Sequence, residues 1–547
     1  MPTVNLNRKE VEKLLGKKLD LETLKDRISM LGTDLEEITD SEIKVEVFPN
    51  RPDLLSEQGF ARALSSFIGS KVGLREYKVK KSRDKVIVES SLPKEWPYAF
   101  ACIVKNLKFD DEKIRQVVQI QEKLGISMLR NRKKGGIGLY PLEKIKFPVR
   151  FIGIEPNEIK FRPLEFSVEL SGEQILSKHP TGRKYAHICQ DWSKFPVFID
   201  ANKTIMSMPP IINSHEVGKI DETTKNIFLE VTGNDLETLK KALIIMVTAL
   251  ADMGGTIYSL ENIQQDKSKT QFPNLFPEKL KINLKNINKL LGIKLKEKEI
   301  KELLERMGFD YNNSLVKIPC YRADILHEVD IAGDIAIAYG YENFKEEIPN
   351  VSTIGEESKL SKFKRKVSEI LIGLNLIECS SFHLSNKTLL NKKMNLKEKL
   401  IEVEGAVNLD YNILRNYLLS GLLNVLMNNK QYEYPQNIFE IGTVFEENSS
   451  FETGIKAIEN LSVVKCEGNF TEMKQILDVL MSSLSVEYKV EETEHKSFIE
   501  GRVGSILVDG KKIGVIGEIN PEVLNNFEIE LPSSGLELHL SELLNIV

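Results

Sequence analysis

Two stretches of this chain repeat one another, and the repeat limits the architecture more than any single motif does. Leu14-Leu15-Gly16, Lys18-Leu19 and Met30-Leu31-Gly32 recur at one offset as Leu290-Leu291-Gly292, Lys294-Leu295 and Arg306-Met307-Gly308. A second match sets Arg51-Pro52-Asp53-Leu54-Leu55-Ser56-Glu57 against Arg322-Ala323-Asp324-Ile325-Leu326-His327-Glu328 and keeps Gly69 facing Gly340. Each copy reads as helix, helix, strand, Arg-x-Asp turn and helix, a unit of roughly 70 residues. Two copies are too few for a solenoid. The chain therefore carries a duplicated module with other domains inserted between and after the copies.

Its 547 residues leave room for about three to five domains. The first module is expected over 1–84, ending in the Lys-rich connection from Ser70 to Asp84, and a mixed α/β domain follows over 85–263. Residues 264–279, with Pro273 and Pro277, have linker chemistry. The second module covers 280–346, a second linker runs from Glu346 to Ser361, and the last domain covers 360–547. Hydrophobic residues at 41% and charged residues at 28% fit a globular chain and exclude a disordered or fibrous one. With a net charge of −5, any nucleic-acid contact has to be a local patch. No apolar run is long enough for a membrane span, and the first residues lack a signal-peptide core. Five widely spaced cysteines without a CxxC pair read as reduced thiols of a cytoplasmic protein.

Phosphate-binding loops, nucleophile elbows and zinc helices are absent, and the seven histidines do not cluster. Three features carry chemistry. Asp324, Glu328, Asp330 and Asp334 gather on the second Arg-x-Asp turn and the helix after it. Asp330 and Asp334 share a helix face and repel unless solvated or bridged. Such oxygens suit Mg²⁺, and they equally suit a solvated acidic face with Asp324 capping the helix. Arg130-Asn131-Arg132-Lys133-Lys134 is either a phosphate contact or a solvated loop. Lys81, Arg83 and Lys85 alternate as on a charge-blunted strand edge. Finally, Met208-Pro209-Pro210-Ile211-Ile212-Asn213-Ser214 makes a rigid bend, and the apolar run after it contains Glu230, a carboxylate that must be paired or functional.

At these places the chain resembles the β subunit of phenylalanyl-tRNA synthetase in its archaeal and eukaryotic form. The likeness runs through Phe48-Pro49-Asn50-Arg51-Pro52-Asp53, Arg130 to Lys134, Pro209-Pro210-Ile211-Ile212-Asn213-Ser214 and Glu230-Val231-Thr232-Gly233. It continues in Tyr321-Arg322-Ala323-Asp324, Tyr339-Gly340-Tyr341, Leu414-Arg415-Asn416, Phe439-Glu440-Ile441-Gly442 and Gly517-Glu518-Ile519-Asn520-Pro521.

The resemblance implies a multidomain α+β chain: a duplicated helical, winged module, an inserted α/β editing domain, and a C-terminal antiparallel-sheet domain like a class II synthetase core without an active site. It implies an α subunit as partner in an (αβ)₂ heterotetramer, with the ATP-dependent charging of tRNA-Phe carried out on α. It also implies that no anticodon-binding domain follows. Hydrolysis of mischarged Tyr-tRNA falls to this chain, with Glu230 as the group that meets the phenol and Asn213 and Ser214 lining its pocket. Arg130, Arg132, Lys133 and Lys134 are the implied tRNA contacts. Asp324, Asp330 and Asp334 match a family Mg²⁺ site, whose fourth, usually acidic position is Gly333 here. Two other classes compete: a non-catalytic nucleic-acid-binding scaffold, resting on the duplicated module and the basic loop, and a freestanding aminoacyl-tRNA hydrolase, resting on the Glu230 pocket. Either should be stable alone, whereas an obligate subunit needs its partner.

Overall fold

The computed structural model describes residues 2–546. They divide into two compact units, Met1–Glu347 and Ile348–Val547. Within the first unit the repeat is a structural one. Strand Thr3–Asn7, helices Arg8–Leu15 and Leu21–Met30, and strands Asp34–Ile38 and Glu42–Glu46 form one copy; Glu278–Lys281, Leu284–Leu291, Glu297–Arg306, Asp310–Asn312 and Leu315–Ile318 form the other. In both, the last strand lies between the first and the second in a three-stranded antiparallel sheet. Each copy thus has a leading strand and a hairpin where the sequence reading has a single strand. Both first helices start at an asparagine cap, Asn7 or Asn283, whose side chain accepts a backbone N–H. Both end at a glycine, Gly16 or Gly292, with φ near +70°, backbone that a side chain disfavours.

The copies pack on each other. Ser66 Oγ donates to the Glu305 carbonyl at 3.0 Å, Arg306 Nε donates to the Phe67 carbonyl at 3.1 Å, and Arg27 pairs with Glu342 at 3.1 Å. A single apolar core runs through both copies and continues under helix Leu236–Asp252.

Between the copies lies a ten-stranded sheet. Strand Ile227–Gly233 is buried at every position, antiparallel to Tyr98–Lys105 on one side and Gly135–Pro141 on the other. Leu229 and Val231 face the core shared with Leu236–Asp252, whereas Phe228 joins the aromatic core of the opposite face, as period-2 alternation requires. The sheet begins earlier than Lys85. Strand Val79–Val88 pairs with Thr256–Ile263 from Val79 onward but with Val149–Ile154 only from Val86. Lys81, Arg83 and Lys85 therefore lie on a stretch whose one side is unpaired. Residues 264–279 are not a free linker: Lys269–Phe272 hydrogen-bonds to Thr256–Ile263, with Phe272 buried, and Glu278–Lys281 already belongs to the second module.

In the second unit, seven strands form a sheet that is antiparallel except where Ile377–Glu378 joins Asn437–Glu447. Helices Lys359–Gly373 and Phe470–Ser483 cover one apolar face, and Leu419–Asn428 packs in a separate core. Phe382, Val407, Leu409 and Tyr411 are exposed. No helix among the described residues is long and apolar enough to cross a membrane, and the five cysteines are free thiols.

Candidate functional site: a buried carboxylate at the seam of the sheet

The ten-stranded sheet curls until its ends approach. Gly135–Pro141 lies at one end, and Ile205–Met208 with Ile212–Asn213 at the other. Side chains bridge the seam. The Tyr140 hydroxyl donates to Glu230 Oε1 at 3.1 Å and lies 3.3 Å from Asn213 Oδ1. Arg132 Nη1 donates to the carbonyls of Pro210 and Ile211 at 3.0 and 2.9 Å, and its guanidinium stacks 4.4 Å over the Tyr185 ring. The Pro209-Pro210 bend is thereby fastened beside the carboxylate.

Glu230 is 2% exposed. Opposite it in the register is Gly138, where any Cβ would collide with Glu230 Oε1 and the Tyr140 hydroxyl; the missing side chain makes room for the carboxyl. Burial among Phe228, Tyr140 and the aromatic core pushes Glu230 up to about 8, with the Tyr140 hydrogen bond pulling the other way. At neutral pH the group is a neutral acid. Its Oε2 has no partner, and neither do two further buried hydroxyls, those of Thr232 and Ser207. Thr232 lies two residues along the same strand, on the face of Glu230; Ser207 reaches the Tyr140 hydroxyl from across the seam. An apolar chamber with a neutral acid and two unsatisfied hydroxyls is built to take one more polar group.

Sequence reasoning brought Glu230 and Asn213 to this place but missed Tyr140, Ser207, Thr232 and Gly138. Only the strand alternation could have flagged Thr232. Ser214 is buried nearby, yet its hydroxyl donates to Glu216 Oε2 at 2.8 Å rather than facing Glu230.

The basic loop divides. Arg130, Asn131 and Arg132 are three consecutive residues with φ between 49° and 63°, a left-handed turn that strains side-chain-bearing residues and persists because its contacts enforce it. Arg132 is consumed by the bend, and Lys134 Nζ pairs at 2.8 Å with Asp235, the cap of Leu236–Asp252. Arg130 and Lys133 are exposed.

The carboxylates of the second module do not form a metal cage. Arg322 forks onto Asp324, both bonds 2.8 Å, and donates to Asp334 Oδ2 at 2.7 Å; its side chain is 1% exposed. Asp330 faces away from that cluster and accepts from the backbone N–H groups of Leu326 and His327, both at 2.8 Å. The helix cap is His327 with Asp330 as the reciprocal acceptor, so Asp324 is not the cap. A Cβ at Gly333 would meet nothing within 4 Å, and the position adds no oxygen. Among the described residues no group of three His, Cys, Asp or Glu is placed to hold a metal ion. These residues do not fit Mg²⁺: the charge it would neutralise is already held by a buried guanidinium. The first copy has the same fork, Arg51 to Asp53 with both bonds 2.9 Å, and the two forks are close enough to act on each other electrostatically.

Comparison with known proteins agrees with this anatomy. Residues 1–70 match the Phe-tRNA synthetase beta subunit B1 domain, 280–341 the tRNA synthetase B5 domain, and 345–540 the phenylalanyl tRNA synthetase beta chain CLM domain. The phenylalanine–tRNA ligase beta subunit of Pyrococcus abyssi is 39% identical over 99% of this chain and all of its own length. That of Archaeoglobus fulgidus is 38% identical, covering 99% of this chain and 98% of its own. The crystal structure of an N-terminal fragment of the phenylalanyl-tRNA synthetase beta-subunit from Pyrococcus horikoshii aligns with a TM-score of 0.60 and 36% identity, over 62% of this chain and 99% of the fragment. The chain belongs to the phenylalanine–tRNA ligase β-subunit family.

Proposed function

We propose that this chain joins an α subunit in a cytoplasmic (αβ)₂ heterotetramer that couples ATP, phenylalanine and tRNA-Phe to give Phe-tRNA, AMP and diphosphate, and that its own middle domain hydrolyses tRNA mischarged with tyrosine. The observation that carries the second half is the buried Glu230 with its unpartnered Oε2. A site shaped for a phenyl ring rejects an added hydroxyl weakly, so discrimination needs a second site built around that hydroxyl. Here the phenol oxygen of a tyrosyl ester accepts from the neutral Glu230 acid at Oε2, and its O–H donates to Thr232 or Ser207. A phenylalanyl ester leaves all three groups unpaired in an apolar chamber, and that deficit is the basis of rejection.

Tyr140 and Asn213 hold the Glu230 carboxyl in place, and Arg132 holds the adjoining bend. Glu230 is the specificity group and not the base. We assign activation of the attacking water to the tRNA's terminal hydroxyl and to backbone groups, and the phosphate contacts of the acceptor end to Arg130 and Lys133. Mg²⁺ enters with the phosphates of ATP on the α subunit, as is usual for nucleotide-handling enzymes, and not at Asp324. The antiparallel sheet of the second unit serves as a class II-like scaffold without an active site, and the exposed Phe382, Val407, Leu409 and Tyr411 supply apolar surface for α.

The test is Glu230→Ala assayed with the α subunit. Phenylalanine charging should persist while Tyr-tRNA accumulates. Equal loss of both activities overturns the assignment, and Tyr-tRNA hydrolysis by this chain without any α-dependent charging would favour a freestanding hydrolase.

A further inference from the structure

The two copies of the module use the same glutamate in different ways. In the second copy Glu328 accepts the backbone N–H of Asn283 at 2.9 Å and the Asn286 side-chain amide at 2.8 Å, so both carboxylate oxygens are engaged. In the first copy Glu57 likewise accepts the backbone N–H of Asn7, at 3.3 Å. The residue at the place of Asn286 is Glu10, which has no N–H to offer from its side chain. Glu57 Oε2 is consequently left without a partner, on a side chain 2% exposed.

That oxygen does not point into packed core. Glu57 lines a cavity of about 440 Å³ between the first module and helix Asp111–Ile126, together with Asn5, Asn7, Ser41, Glu42 and Gln119. Oxygen-bearing side chains dominate the wall. Its one cation, Arg115, pairs with Glu112, which also accepts from the Asn7 side chain at 3.1 Å. A volume in the range of small-ligand sites, a buried carboxylate with a vacant oxygen, and a wall rich in acceptors define the missing component as a cation carrying N–H donors. A metal ion is the poorer match, since no three metal-ligating side chains converge there among the described residues.

We infer that this cavity is a binding site for a small organic ammonium, a protonated primary amine that donates to Glu57 Oε2 and takes the part Asn286 plays in the second copy. The site is separate from the Glu230 chamber and does not depend on the editing assignment. Burial, with Glu112 adding to it and Arg115 opposing it, raises Glu57 to about 7. Glu42 on the opposite wall is a further negative group. An arriving ammonium favours the ionised carboxylate, so uptake near pH 7 releases a proton.

The experiment is calorimetric titration of the full chain with its α subunit, without tRNA, using 1,4-diaminobutane. Repeating it in buffers of different ionisation enthalpy counts the protons released. Saturable one-site uptake with proton release is expected, with no response to tetramethylammonium, which has no N–H. Glu57→Gln should abolish uptake, and Glu328→Gln should leave it unchanged. Glu10→Asn, an exchange near the surface that restores the donor of the second copy without touching Glu57, should weaken uptake about tenfold or more. It keeps the inference testable if Glu57→Gln fails to fold. Nα-acetyl-lysine amide separates a free amine from a lysine side chain of another protein, and the free diamine should bind better. Absence of saturable uptake means the cavity holds solvent only and overturns the inference. Uptake unaffected by Glu10→Asn, or binding of the lysine amide alone, overturns it as well.

Discussion

Glu230→Gln tests the protonation state on which the editing proposal turns. The folded carboxyl titrates at about 8 instead of the ordinary 4.5, because burial penalises its ionised form. Since the raised group binds a proton that the unfolded chain has released, its contribution to stability is fully present below about 4.5 and is lost as pH rises through 8. Between pH 6 and pH 9 the unfolded glutamate stays ionised while the folded one is driven to ionise, which costs about 2–3 kcal/mol. Glutamine keeps the acceptor for the Tyr140 hydroxyl and never ionises, so the variant lacks this loss. Urea unfolding of the Met1–Glu347 unit at the two pH values should therefore show wild type falling relative to Glu230→Gln by that amount. Other raised carboxyls, Glu57 among them, titrate equally in both proteins and cancel in the difference. A difference that does not change with pH would mean that Glu230 is already ionised at neutrality, and the neutral-donor account of phenol recognition would fall with it.

Three more outcomes follow from the geometry. Gly138→Ala sets a methyl against Glu230 Oε1 and the Tyr140 hydroxyl, and should lower Tyr-tRNA hydrolysis about tenfold or more while phenylalanine charging is retained, as a parallel assay of both reactions would read. Arg322→Met leaves Asp324 and Asp334 with no cation between them and should cost about 3–5 kcal/mol in thermal or denaturant unfolding, whereas neither Mg²⁺ nor a chelator should move the wild-type transition. Leu409→Glu combined with Val407→Glu removes apolar surface from the second unit and should weaken association with the α subunit about tenfold or more in sedimentation, leaving the folding of this chain unchanged.

The duplicated module was legible in the sequence because its determinants are local. Leu-Leu-Gly ends a helix wherever it occurs, and Arg-x-Asp closes its own fork two residues apart. Glu230 was legible for a different reason, as an ionisable residue in an otherwise apolar strand. Its partners were not, because Tyr140 and Ser207 reach it across a seam that exists only after ten strands have curled. Asp330 and Asp334 illustrate the limit of spacing arguments. Their common helix face was read correctly, but one carboxylate caps the helix and the other meets Arg322, and neither destination is visible in an i, i+4 pattern. The linker reading of residues 264–279 failed because Pro and Lys content reports on exposure, while Thr270, Gln271 and Phe272 still supply a strand's hydrogen bonds and one buried ring.

The way the chain passes through the middle sheet has a consequence for exchange of parts. It enters on Val79–Val88, and its last long strand, Thr256–Ile263, is the immediate neighbour of that entry strand. It then doubles back along Lys269–Phe272, so that Phe272 pairs with Leu260 close to where Val79 pairs with Ile257. Entry and exit are side by side, and the flanking modules hold both ends at a fixed spacing. Such a domain is a cassette: cutting it out requires only a short bridge between neighbouring points, and any other fold with adjacent termini could be spliced into the gap at little cost in loop entropy.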